Sequence, residues 1–290
     1  VVRGPMSVIY GNNAFLGVIN VVTNEIGRNG PRVSAGYGSR DSGRLFARAG
    51  TATAEGFVVL NAGAYRTDGL DGAYADMMSD DQLASLVPGM HTSLDGDVPQ
   101  RDLSLDLSAG WGEWTADLRY TQKHYGAYVF TPAFDDGTNL RLTTWHAALG
   151  WEHAIAENLG VRANAIFSEE RFNAYEFDLL SPDLDGDQQQ RNRRWEFELD
   201  LLWDPQPDLN LVAGYRFRLV DGIENAASLP PLVQQKNRVG SFAVNDLFAE
   251  LGWSASDRLR LIGGLRLSRL PSSYDYTSDN FLAGTRIEEN

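Results

Sequence analysis

A strict alternation of apolar and polar residues runs through most of this chain. In the stretch RDLSLDLSAGW, Leu103, Leu105 and Leu107 occupy every second position, and Asp102 and Asp106 fall between them. Successive side chains of a β-strand point to opposite faces, so a period of two predicts a strand with one apolar and one polar face. The pattern recurs in WTADLRY, WEFELDLLW, LNLVAGYRFRL and LRLIGGLRLSR. The sequence therefore predicts an all-β protein built from antiparallel strands.

The alternation divides the chain after residue 30 into eleven predicted strands. They cover 31–39, 43–52, 57–69, 101–111, 114–129, 140–155, 159–177, 190–204, 209–222, 239–254 and 259–276. The tight turns lie near Thr53, Gly112, Glu157, Pro207 and Ser256, and the long polar connections lie around 70–100, 130–139, 178–189 and 223–238. Outer-membrane barrels have short turns at one rim and long loops at the other, so this asymmetry favours a transmembrane β-barrel.

Composition narrows the range of functions. The net charge of −14 disfavours nucleic acid as a partner, and the chain has no cysteine for a disulfide or a thiolate metal site. No stretch reaches the roughly 18 consecutive apolar residues of a membrane-spanning helix. Barrel strands escape such a test because they alternate, so a transmembrane barrel is compatible with this composition.

Tryptophan placement separates a barrel from a soluble fold. Five of the seven tryptophans crowd the rim of short turns, and they are Trp111, Trp114, Trp151, Trp203 and Trp253. An indole ring has an apolar body and a polar N–H, and such rings collect at membrane–water interfaces. These residues are therefore predicted to form a membrane girdle in contact with outer-membrane lipid. The alternative is a soluble secreted β-sandwich binding module with aromatic residues at the edge of its core.

The first residues carry a motif with fixed spacing. VVRGPMSVIYGNNAFLGVINVVT resembles the end of the plug domain of TonB-dependent outer-membrane receptors, and it lies directly before the first predicted barrel strand. The motif residues taken as structural or gating positions of the plug are Arg3, Gly4, Pro5, Tyr10, Gly11, Gly17 and Asn20. Buried in a polar lumen, Arg3 would need a carboxylate, and the candidates on the predicted inner face are Glu196, Glu198 and Glu250.

The resemblance implies a domain organisation. Residues 1–27 would form the C-terminal end of a plug domain, and residues 28–290 the N-terminal half of a transmembrane β-barrel, about 11 of an expected 22 strands. The chain would then be a fragment that lacks the signal peptide and the TonB-contacting segment. We expect it not to fold stably alone, because a half barrel leaves a free sheet edge at both ends.

The resemblance also implies a function in transport. Members of the family lie in the bacterial outer membrane and bind scarce small-molecule ligands such as ferric siderophores, haem or cobalamin. The TonB energy-transducing complex then rearranges the plug, and no enzymatic activity is expected. The alternatives are a passive porin and an outer-membrane enzyme barrel. A porin needs no plug motif, and the four histidines lie on separate segments without a catalytic grouping.

One loop has the spacing of a metal site. Asp183, Asp185 and Asp187 alternate around Gly186, which could gather oxygen ligands for calcium in an extracellular loop. The loop lacks the downstream bidentate glutamate of an EF-hand, and Arg191 follows instead. A solvated acidic loop is therefore the favoured interpretation, with calcium as the alternative, and no other cofactor is expected.

Overall fold

The computed structural model describes most of the barrel region and little of the first thirty residues. The described residues are 2–3, 17–18, 30–70, 72–73, 76, 78–85, 88–89, 93, 98–127, 138–175, 186–229, 233–256, 258–271, 275–280 and 285–289. The strands are β1 (Val2–Arg3), β2 (Gly17–Val18), β3 (Arg32–Tyr37), β4 (Gly43–Ala52), β5 (Gly56–Thr67), β6 (Gln100–Trp111), β7 (Trp114–Ala127), β8 (Thr138–Ala156), β9 (Leu159–Tyr175), β10 (Asp187–Gln206), β11 (Leu209–Leu229), β12 (Val233–Val239), β13 (Phe242–Ser256), β14 (Leu259–Arg269), β15 (Tyr276–Asn280) and β16 (Thr285–Glu289). A single helical turn, α1 (Asp80–Ala84), lies between β5 and β6.

Fourteen of these strands, β3 to β16, form one continuous antiparallel sheet. From β3 to β11, each strand pairs with the next strand of the sequence, as expected for an up-and-down barrel. Among the described strands, β1 and β2 pair only with each other, Val2 opposite Val18 and Arg3 opposite Gly17. The predicted all-β antiparallel fold is therefore confirmed. Among the described residues, no helix is long and apolar enough to cross a membrane.

The two faces of the sheet differ in chemistry, as the alternation predicts. On β10, Trp195, Phe197, Leu199, Leu201 and Trp203 share one face, and their partners across β9 and β11 are also apolar. We call this side the apolar face and the other side the polar face. Among the described residues only Val59, Ala174, Val244 and Phe248 form a buried apolar core, while large apolar side chains stay exposed. A sheet that exposes such an apolar surface requires an apolar solvent, and this argues against a β-sandwich.

The tight turns lie where they were predicted. β4–β5, β6–β7, β8–β9, β10–β11 and β13–β14 are joined by two or three residues each. The stretch GYGSRDSG is a hairpin turn between β3 and β4, because Arg40 and Asp41 both have positive φ, 59° and 47°, and the Ser42 N–H donates to the Ser39 carbonyl. The connection between β5 and β6 is long and contains α1, as the long-loop prediction requires.

Two predicted boundaries are wrong. The region 223–238 was predicted as a long loop, but β11 continues to Leu229 and pairs with β12. The predicted strand 259–276 is instead divided into β14 and β15. In both places polar residues occupy both faces of the sheet. Alternation is absent because a sheet that extends beyond the bilayer has water on both sides and needs no apolar face.

A bulge marks the point where β11 leaves the apolar region. Between the pairs Arg193–Asp221 and Arg191–Glu224, β10 has one residue and β11 has two. One of these two is Gly222, with φ of 68°, a backbone conformation that glycine adopts without strain. Gly222 therefore belongs to a bulge inside a strand.

Candidate functional site: the polar face and its rims

A chain of ion pairs lines the polar face of β9, β10 and β11. Arg162 on β9 donates two hydrogen bonds to Asp200 on β10, from Nη2 at 2.6 Å and from Nε at 3.0 Å to the same oxygen, Oδ2. The Asp200 side chain is 1% exposed, and its Oδ1 has no hydrogen-bond partner among the described residues. Burial of a charged carboxylate destabilises a protein unless the carboxylate is paired, so the ion pair with Arg162 stabilises Asp200 in its buried position.

The next pairs along β10 cross to β11. Glu198 accepts from Arg216 Nε at 2.5 Å, and Glu196 accepts from Arg218 Nε at 2.9 Å. Arg216 also lies 3.6 Å from Glu196, so it bridges the two carboxylates. The Glu198 and Glu196 carboxylates were candidate partners of Arg3, and both are already paired within the barrel wall. The pairing of Arg3 stays a prediction, because its side chain lies outside the described part of the structure.

Similar pairs continue on both sides of this group. On β13 and β14, Arg266 Nη2 lies 2.5 Å from Asp246 Oδ2, and Asp246 is 1% exposed. On β6 and β7, Arg119 Nε lies 2.5 Å from Asp106 Oδ1. His146 Nδ1 lies 3.2 Å from Ser168 Oγ on the same face. The polar face is thus a wall of fixed charges suited to contact with water or with a polar domain.

All five predicted girdle tryptophans lie on the apolar face near the short turns. Trp114 stands opposite both Trp111 and Trp151, and Trp253 stands opposite Leu209. Two indole N–H groups point to carboxylates of the turns, Trp151 to Glu113 at 3.0 Å and Trp253 to Asp208 at 3.2 Å. An apolar ring with its N–H directed to a polar rim is the arrangement expected at an interface. Membrane contact at these residues stays a prediction.

Glu113 organises the turn between β6 and β7. Its Oε1 lies 2.6 Å from His153 Nδ1, and its Oε2 accepts from Trp151. The hydrogen bond with His153, aided by that from Trp151, holds the pKa of the Glu113 carboxyl below its usual value. The turn therefore fixes an anionic group beside the tryptophan girdle.

The other two tryptophans lie outside the predicted girdle. Trp145 and Trp195 lie on the apolar face at the end distant from the short turns, and Trp145 packs 4.5 Å from Tyr120 and Trp195 4.6 Å from Phe167, between ring centroids. On β10, Trp195 and Trp203 are eight residues apart, which spans about 20 Å across a bilayer at about 3.3 Å per residue and a tilt of about 40°. This approaches the apolar band of about 25 Å in outer-membrane barrels. The two tryptophans complete a second aromatic row. The signal in the sequence was parity, which Trp195 shares with Trp203 on β10 and Trp145 shares with Trp151 on β8.

The plug and calcium predictions fall mostly on undescribed residues. Arg3 and Gly17 lie in the hairpin β1–β2, while Gly4, Pro5, Tyr10, Gly11 and Asn20 lie outside the described residues. Asp183 and Asp185 also lie outside them, and Asp187 is the first residue of β10. Among the described residues, no group of three or more histidine, aspartate or glutamate side chains could hold a metal ion.

Comparison with known protein families identifies the family of this chain. The family model described as TonB dependent receptor-like, beta-barrel matches residues 91–289. The chain belongs to the TonB-dependent receptor family. Its members are receptors of the bacterial outer membrane and are not typically enzymes. A search of curated protein sequences found no significant match.

Solved structures agree in fold with this TonB-dependent receptor barrel. The ferric yersiniabactin uptake receptor FyuA from Yersinia pestis has a TM-score of 0.73 at 18% identity, over 99% of this chain and 46% of FyuA. The copper transporter OprC has a TM-score of 0.65 at 19% identity, over 96% of this chain and 42% of OprC. The ferric-catecholate import receptor Fiu from E. coli K12 has a TM-score of 0.65 at 14% identity, over 97% of this chain and 46% of Fiu. The chain thus spans about half the length of these receptors.

Proposed function

We propose that this chain contributes barrel wall and plug residues to a TonB-dependent importer. Such an importer would bind a scarce ligand at the outer face and admit it when TonB rearranges the plug. The candidate ligands are a ferric siderophore, haem, cobalamin or a similar compound. FyuA and Fiu import iron complexes and OprC transports copper, which supports this ligand class. The proposal places residues 1–27 in the plug and 28–290 in the barrel.

The fixed charges of the polar face are the main support for this proposal. A lumen that contains a folded plug needs fixed charges to position it, and Arg162–Asp200, Arg266–Asp246 and the bridging Arg216 supply them. A separate small hairpin, β1–β2, precedes the barrel strands and pairs with none of the described ones, as a plug segment would. A passive porin would have no use for such a segment.

Uptake measurements test the proposal. The full-length protein is expressed in a bacterial strain deleted for its own siderophore, haem and cobalamin receptors, and uptake of each labelled ligand is measured. We expect saturable uptake of at least one ligand, and loss of that uptake when TonB is deleted or the proton gradient is collapsed. Uptake that is linear in concentration and independent of TonB would show a passive pore and contradict the proposal.

A matched plug variant separates gating from simple folding. Gly17→Val changes a residue of the β1–β2 hairpin, whereas Gly263→Val changes a glycine of the barrel with open space around its α-carbon. We expect the first variant to keep a folded barrel but to lose energised uptake or to leak. The second should transport like the wild type.

A further inference from the structure

Charged side chains occupy the apolar side of the sheet just beyond the second aromatic row. Glu169 follows Phe167 by two residues on β9, Arg193 precedes Trp195 by two on β10, and Asp221 follows Leu219 by two on β11. Two residues is the repeat of a strand, so each charged residue projects from the same face as its aromatic or aliphatic neighbour. The full set, which we call the outer charge cluster, comprises Glu169, Arg171, Arg191, Arg193, Asp221, Glu224, Lys236 and Arg238.

The cluster is continuous across four strands. Arg171 on β9 stands opposite Arg191 on β10, which stands opposite Glu224 on β11, which stands opposite Arg238 on β12. Glu169 accepts from Arg171 and lies 3.3 Å from Arg191. One buried carboxylate thus holds two guanidinium groups side by side. Glu224 repeats this arrangement with Lys236 and Arg238.

Two of the three acidic members lie beneath basic ones. The Glu169 side chain is 8% exposed, while those of Arg171 and Arg191 are 52% and 36% exposed. Glu224 is 30% exposed beneath Arg238 at 56%, whereas Asp221 is as exposed as its partner Arg193. With five basic and three acidic residues, the cluster has a net charge of +2. Glu169 and Glu224 therefore position the cations above them without cancelling their charge at the surface.

Two cations keep hydrogen-bonding capacity. Arg193 binds Asp221 through Nη2 at 2.8 Å, and Arg191 binds Glu169 through Nη2. The Nε atoms of Arg191 and Arg193 are buried and have no acceptor among the described residues. The two side chains are nevertheless 36% and 33% exposed. A guanidinium is a fork of donors that matches phosphate oxygens, so the exposed part of each can bind an anion from the outside.

The opposite rim is richer in acidic residues. Its short turns and the adjoining strand ends carry the acidic residues Glu55, Glu113, Glu157, Asp204 and Asp208 and the basic residues Arg258 and Arg260. The protein as a whole is acidic, with a net charge of −14. A net cationic patch on the long-loop side is therefore not a consequence of general composition, and it indicates an anionic partner in the leaflet on that side.

We propose that the outer charge cluster binds the phosphate groups of a phosphorylated glycolipid in the outer leaflet. The cluster begins where the apolar face ends, so the lipid that covers Trp195 and Phe167 with its acyl chains carries its headgroup to Arg171, Arg191 and Arg193. Basic residues at a membrane surface attract anionic headgroups, and arginine binds phosphate in a forked geometry. A soluble protein partner would not be confined to this boundary. The inference requires only the outer-membrane location and is independent of which ligand is imported.

Lipid titration of the full-length protein tests the inference. Purified protein in a neutral detergent is titrated with diphosphorylated glycolipid, with the same lipid after removal of its phosphates, and with inorganic phosphate alone, and binding is followed by native mass spectrometry. We expect the phosphorylated lipid to bind at least tenfold more tightly than the dephosphorylated one. Arg191→Gln/Arg193→Gln should weaken its binding about 30-fold, since a basic residue at a lipid surface contributes about fivefold. Inorganic phosphate should bind weakly.

The control variant is Arg258→Gln/Arg260→Gln, which removes two arginines at the opposite rim and should bind lipid like the wild type. Arg191→Lys/Arg193→Lys keeps the charge and should retain most of the affinity even if the glutamine variant folds poorly. Equal binding of phosphorylated and dephosphorylated lipid would overturn the inference. So would inorganic phosphate that competes at the affinity of the lipid, or glutamine variants that bind lipid unchanged.

Discussion

The middle of β10 is the best place to test which face of the sheet contacts lipid. Leu199 lies four residues from both Trp195 and Trp203 on the apolar face, so it should sit at the bilayer midplane. Leu202 lies three residues further along the same strand on the polar face, opposite Gly160 and Val212. The same substitution, leucine to arginine, can therefore be made on either face of one strand.

The expected cost differs between the two faces. An arginine that faces lipid at the midplane destabilises a barrel by about 2–4 kcal/mol, whereas a lumen substitution has access to water. Leu199→Arg should lower the free energy of unfolding by that amount, a factor of about 30 or more in the equilibrium constant. Leu202→Arg should lower it by less than about 1 kcal/mol, within the range of substitutions away from packed sites.

The assay is equilibrium denaturation of the full-length receptor folded in lipid vesicles, followed by tryptophan fluorescence. Both variants are compared with the wild type in the same lipid. Equal losses in the two variants, or a larger loss for Leu202→Arg, would refute the assignment of the apolar face to lipid.

Three further predictions follow from individual contacts. Arg216→Ala removes the buried cation that Glu196 and Glu198 share and leaves Glu196 with Arg218 alone, and it should cost about 3–5 kcal/mol in the same denaturation assay; a loss below about 1 kcal/mol would show that water replaces the arginine. The hydrogen bond with His153 lowers the pKa of Glu113 in the folded protein. The stability that Glu113 contributes is therefore fully present above the unfolded pKa of about 4.3, and it is lost as pH falls through the lower folded pKa. The stability difference between the wild type and Glu113→Gln, measured as a function of pH, should therefore vanish in acid, and a difference that grows in acid would contradict the assigned sign. Gly222→Ala places a side chain at φ of 68° and should cost about 1 kcal/mol by thermal denaturation, whereas Gly263→Ala, with open space around it, should change stability by less than about 0.5 kcal/mol.

The strands that cross the apolar region were predictable from sequence. Leu103, Leu105 and Leu107 stand on one face because lipid requires apolar residues there and the lumen tolerates polar ones between them. The same contrast between lipid-facing and lumen-facing positions fixes the register of β10 and its neighbours. Turn positions followed as well, since tight turns interrupt the alternation at Gly112 and near Pro207.

The extensions beyond the bilayer were not predictable in this way. β12 and the last third of β11 have polar residues on both faces, and Gly222 and the two prolines that follow Leu229 suggest a loop. Above the membrane, water surrounds both faces, so the periodic signal that identifies a strand is lost. Backbone pairing, together with the ion pairs of Glu224 with Lys236 and Arg238, maintains these segments.

The ion-pair partners could not be predicted from the sequence either. Alternation places Glu196, Glu198, Arg216 and Arg218 on the polar face, but the partner of each depends on the register between β10 and β11. That register follows from a turn of two residues and an irregularity beside it. The outer charge cluster was missed for a related reason, because Glu169 lies in a predicted strand whose faces had not been assigned at that height.

The most direct test concerns the two faces of the sheet, of which the apolar face should contact lipid and the polar face should line the lumen. The chain contains no cysteine, so single cysteines can be introduced at each position from Trp195 to Trp203 and spin-labelled in the full-length receptor in vesicles. Collision rates with oxygen, which concentrates in lipid, and with a water-soluble nickel complex are then measured at each site. We expect a period of two, with odd-numbered positions accessible to oxygen and even-numbered ones to nickel. Equal accessibility at odd and even positions, or the reverse pattern, would contradict it.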